Sequence, residues 1–229
     1  MNTIYIHQGE SGFERRKMAG DRNLHYRLFY HPGSYAGAHI HEISEWQENC
    51  YARISGELGV EMDRKIRIYM CESREEIAEE TGCPPTNGMT LDYDLIFAVV
   101  NGENQCLGPH EDAHLLSFRI AVPESIFLRE GIAMYFDGAY HGKKNSQAAK
   151  EWIPENRQCD ILHFLNNDRF YELPEDISYP LAGAFTEWII RKYGMERWQE
   201  FFRNSGDPLT LSGKTAMELS EEFIHDILQ

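Results

Sequence analysis

Strand-forming runs in this chain end at residue 100. Ahead of that point, residues 24–30 (LHYRLFY), 65–70 (KIRIYM) and 95–100 (LIFAVV) are enriched in aromatic or β-branched residues, and turn residues such as His31-Pro32-Gly33 and Asn101-Gly102 bound them. Beyond Gly108, apolar positions recur at helical spacing and strand-like runs nearly vanish. This asymmetry points to an α+β fold in one domain: a mixed α/β lobe over residues 1–107, then a mainly helical lobe over 108–229, with a cleft where they meet. No internal repeat, low-complexity tract or Pro/Gly/Ser-rich linker divides the sequence.

Between the strands, Ile43, Trp46, Cys50, Ala52, Ile54 and Leu58 place an amphipathic helix over 38–58. Ser73 with Glu76 forms a capping-box pattern that opens a helix through Glu80, stopped at Gly82-Cys83-Pro84-Pro85. Asn87-Gly88 is a turn signal, and 95–100, closed by Asn101-Gly102, reads as a strand that can form one arm of a hairpin. Further helices are expected at 109–119, 125–135, 180–193, 196–203 and 215–228. Pro109 suits a first helical turn and Gly194 a helix end.

The balance of 22 Lys plus Arg against 37 Asp plus Glu gives a formal charge of −15, which opposes phosphate backbones and anionic lipid. Nucleic acid and membrane surfaces are therefore not expected as partners. The apolar run 95–100 is too short to span a bilayer, and Met1-Asn2-Thr3-Ile4-Tyr5-Ile6-His7 lacks the layout of a secretion signal, so a cytoplasmic location is expected. Five widely spaced cysteines without a C-x-x-C pair indicate reduced structural thiols.

The chemistry concentrates in His110-Glu111-Asp112-Ala113-His114, an H-E-x-x-H. On a helix, residues four apart share a face, so both imidazoles can reach one metal ion while Glu111 stands beside them to move a proton. The blander alternative is a solvated helix face that holds two histidines. A catalytic zinc needs a third protein ligand and an open fourth position. Glu130, separated from His114 by fifteen residues, lies in the apolar stretch 127–136 (FLREGIAMYF), where an unpaired charge is costly and coordination would remove that cost. Two neighbouring helices joined by a short Pro-containing link could bring its carboxylate opposite the histidine pair, a His2Glu set. Gly33, His39, His41 and Glu45 also match the spacing of a cupin metal motif. That motif needs adjacent β-strands of a barrel, and residues 43–58 carry helical periodicity instead.

His110-Glu111-x-x-His114 followed by Glu130-Gly131-Ile132-Ala133 resembles the gluzincin metallopeptidases, the group that includes thermolysin. Residues 182–194 (AGAFTEWIIRKYG) are similar to the "AGSF-x-x-x-L-I-x-x-Y-G" helix of small bacterial members of the peptidase MA-like superfamily, and residues 65–82 to their strand, Ser-x-x-E helix and T-G entry segment. The resemblance runs from about residue 24 onward. It departs at Arg129, where Asn is usual, and at Asp112, an added acid. It implies a thermolysin-like catalytic fold and one Zn2+ held by His110, His114 and Glu130. The implied activity is hydrolysis of peptide or protein substrates, with Glu111 as general base and then acid. An oxyanion donor is also implied, with Tyr179 the leading candidate and His163 and Tyr171 as contenders. Gluzincin substrates often add to the edge of the sheet lining the cleft, an edge that residues 87–89 with 95–100 could supply. A catalytically inactive, zinc-holding or peptide-binding scaffold is the alternative.

Overall fold

A computed structural model of the chain describes residues 19–22, 24–156 and 158–229; the opening Met1–His7 lies outside the described residues. The architecture is α+β. Contacts divide the chain into two compact units, one taking the chain up to Arg53 and Glu61–Glu111, the other Ile54–Val60 and Asp112–Gln229. Among the described residues, no helix is long and apolar enough to cross a membrane.

The first unit runs β1 (Ala19–Arg22), β2 (Tyr26–Tyr30), α1 (Tyr35–Ala38), α2 (Ile40–Leu58) as far as Arg53, β3 (Ile66–Cys71), α3 (Arg74–Thr81), β4 (Gly88–Leu91) and β5 (Leu95–Val99), and ends in the first turn of α4 (Pro109–Ser117). Its five-stranded sheet has the order β1-β2-β3-β5-β4. The three inner strands are mutually parallel, and β1 and β4 pair antiparallel at the two edges. Parallel strands need long crossovers and are covered on both faces, which is why β5 reads as an unbroken apolar run, while β3 is interrupted at Arg67, whose guanidinium pairs with Asp94 at 2.9 Å. Every residue of β5 is buried. One face carries an aromatic ladder in register, Phe29 stacked on Tyr69 at 4.5 Å and Tyr69 on Phe97 at 5.2 Å, with Ile77 of α3 packed against it.

The Ser73 half of the capping box read from the sequence is present in α3, while the Glu76 carboxylate reaches past Ser73 to the preceding amide. The Ser73 hydroxyl accepts from the Glu76 amide at 3.1 Å, the Glu76 carboxylate accepts from the Glu72 amide at 2.8 Å, and Gly82 ends the helix in the left-handed region at φ 71°. The hairpin is also present, but its turn is elsewhere. Asn87-Gly88 leads into β4, and the chain reverses over 92–94, where Asp92 takes φ 53°.

The second unit is helical apart from a two-residue-per-strand ribbon, β6 (Ala139–Tyr140) with β7 (Lys143–Lys144). Beyond α4 it contains α5 (Ile126–Asp137), α6 (Asn145–Trp152), α7 (Asn167–Glu172), α8 (Glu175–Tyr193), α9 (Met195–Arg203), α10 (Pro208–Ser212) and α11 (Ala216–Leu228). Helix α8 begins five residues before the expected Pro180, which sits buried inside it. An interior proline costs a helix roughly 3 kcal/mol, so sequence logic stops there; the packing of Leu181, Ala182, Ala184 and Phe185 outweighs that cost. Helices α5 and α8 cross too closely for side chains at two points. A Cβ on Gly131 would stand 2.4 Å from Thr186 Oγ1, and one on Gly183 2.7 Å from Met134 Cβ. The glycine that follows Glu130 is thus there for the helix crossing that holds the α5 backbone in place.

Candidate metal centre

Helix α4 opens with Pro109 at its first position, preceded by Gly108 at φ 127°, where a Cβ would press on the Trp46 indole at 3.3 Å. His110 and His114 then occupy one face of the helix, His114 buried to 8% exposure and His110 more open. On α5, Phe127, Leu128, Gly131, Ile132, Ala133 and Met134 are buried, which leaves Glu130 on the helix's less buried side.

One ligand atom from each of His110, His114 and Glu130 lies within 4.8 Å of the other two, the one such group of His, Cys, Asp or Glu among the described residues. His114 Nε2 stands 3.5 Å from Glu130 Oε2. Donors held tetrahedrally at about 2.0–2.2 Å from one ion are separated by about 3.3–3.6 Å, so this pair is already at ligand spacing. Two imidazoles with one carboxylate form a donor set that accepts a borderline-soft divalent cation with a position to spare. The residues present fit a metal ion. The cupin-spaced residues form no such group: His39 caps α1 and stacks on Tyr35 at 4.0 Å, while His41 and Glu45 lie on α2. No disulfide joins the five cysteines.

Glu111 projects towards β4. Its Oε2 accepts a hydrogen bond from the Thr90 hydroxyl at 2.6 Å, and its Oε1 would be only 2.9 Å from a Cβ on Gly88. Asp112, the added acid, is turned into the interior at 0% exposure and presents no carboxylate to solvent. Tyr179, half-buried near the start of α8, has its phenol pushed far up from the usual range, by burial first and then by the charge of Glu130, with smaller contributions from Tyr171, Glu175 and Tyr140. Tyr171 on α7 is more exposed and is raised by the same two main causes, opposed by Arg129. Both phenols therefore sit within electrostatic reach of Glu130 and keep their protons at neutral pH. His163 lies exposed in the 3-10 turn Ile161–Leu165.

The sequence marks Gly88 as a turn and sheet-edge residue but does not tie it or Thr90 to Glu111. A signal was present, because strand alternation puts these two on one face of β4 and the apolar Met89 and Leu91 on the other. No family model matches the chain, and no curated protein matches it.

Proposed function

We propose that this chain is a zinc-dependent peptidase of gluzincin-like fold that hydrolyses peptide bonds. The observation that carries the reading is the convergence of His110, His114 and Glu130 within 4.8 Å, with Glu111 on the same helix turn as His110. The two imidazoles and the Glu130 carboxylate would hold the zinc ion, which would supply Lewis acidity at the scissile carbonyl and make the attacking water more acidic. Glu111 accepts the proton of the attacking water and returns it to the departing amine. A protonated phenol, Tyr179 or its neighbour Tyr171, donates a hydrogen bond to the carbonyl oxygen as negative charge builds there. Among the described residues β4 pairs in the sheet with β5 alone, and the backbone of its outer edge, where the Gly88 carbonyl accepts from the Thr86 hydroxyl at 2.9 Å, is where a substrate strand would add.

The zinc-loaded protein should cleave members of a mixed-sequence peptide library, read by mass spectrometry. Cleavage should stop on chelation and return when zinc is restored. A library left intact by protein that holds one zinc per chain would overturn the reading and leave the site a structural one.

A further inference from the structure

We infer that Thr90 is a positioning residue for the proton-transfer step, and that β4 holds the base Glu111 in place through its side chains. The inference rests on the hydrolase reading and adds to it the means by which the carboxylate is aimed.

A glutamate on a helix surface samples several rotamers, and a base that must meet one proton in one direction loses rate whenever it points elsewhere. Here both oxygens are located by the same strand. The Thr90 hydroxyl has one proton, and it is given to Oε2 at 2.6 Å, within the short range of hydroxyl–carboxylate bonds; the backbone oxygen of Glu111 at 3.5 Å is too far to compete. Thr90 is β-branched and in a strand, so its hydroxyl direction is set by a stiff side chain. Two residues earlier on the same face, Gly88 leaves the space that Oε1 fills. Oε2 is thus occupied as an acceptor, and Oε1 remains for the proton. Backbone pairing fixes the strand itself, with Gly88 opposite Ala98 and Thr90 opposite Ile96 on the fully buried β5. Because the outer edge of β4 would also take the substrate backbone, one strand sets the base and the scissile bond in a common frame.

The test compares Thr90→Val, Thr90→Ser and Gly88→Ala with the parent and with Glu111→Gln, on a peptide that the parent cleaves. Metal content and thermal midpoint are measured on every variant. Thr90→Val keeps shape and strand propensity and removes only the donor. Its kcat should fall about 10–100-fold, the usual effect of losing an outer-shell partner, with KM within about twofold and zinc unchanged. Thr90→Ser restores the hydroxyl and should return most of kcat. Gly88→Ala pushes on the far end of a flexible side chain, so it should fold normally and still lose kcat. Parental kcat in Thr90→Val would overturn the inference, as would a loss of zinc in that variant, which would make Thr90 a prop of the metal site. A parent that cleaves nothing, or a Glu111→Gln variant as active as the parent, would instead bring down the hydrolase reading itself.

Discussion

Glu111→Gln is expected to lower kcat by about 10²–10⁴-fold, the range that a positioned general base contributes, while zinc stays bound at one ion per chain. Gln has nearly the same shape and keeps an oxygen that can accept from the Thr90 hydroxyl, so the hydrogen bond at 2.6 Å and the fit against Gly88 can persist. What it lacks is a carboxylate to take the water's proton. KM should change little, because the loss falls on an interaction made in the transition state and not on substrate binding. Steady-state kinetics on a cleaved peptide, with metal analysis of the same preparation, checks both halves. A variant within about threefold of the parental kcat would remove Glu111 from the chemistry.

Glu130→Ala is expected to weaken zinc binding by more than the roughly 10–100-fold that an outer-shell loss costs, because it removes one of three first-contact donors. The carboxylate stands 3.5 Å from His114 Nε2, and no other acid, thiol or imidazole among the described residues joins the group to replace it. The remaining imidazoles are one turn apart on a single helix and offer two of four tetrahedral corners. Titration against a chromophoric chelator reads the change directly. Parental affinity in this variant would exclude Glu130 as a ligand.

Legibility differed by scale. The inner strands and α2 could be read because their burial imposes a period, continuous in β5 and helical in Ile43 through Leu58. The ends of α3 could be read because Ser73, Glu76 and Gly82 are each chemically committed to a cap. Helices α6, α7 and α10 escaped notice because eight, six and five residues are too short to show a stripe. The start of α8 was misplaced at Pro180, where tertiary packing overrides a local penalty. At the site, the histidine pair follows from spacing along one helix. Glu130 needed the apolar context of α5 and the resemblance in its E-G-x-A segment. Thr90 could not be assigned to Glu111 in advance, because which strand lies beside α4, and in which register, is a matter of non-local pairing.

Anomalous diffraction at the zinc edge from crystals of the zinc-loaded protein tests the central claim most directly. The account predicts one strong peak about 2.0–2.2 Å from an imidazole nitrogen of His110, an imidazole nitrogen of His114 and a carboxylate oxygen of Glu130, with a position open to solvent. A stoichiometric zinc peak that sits elsewhere, or one that leaves the Glu130 carboxylate out of coordinating distance, would contradict it.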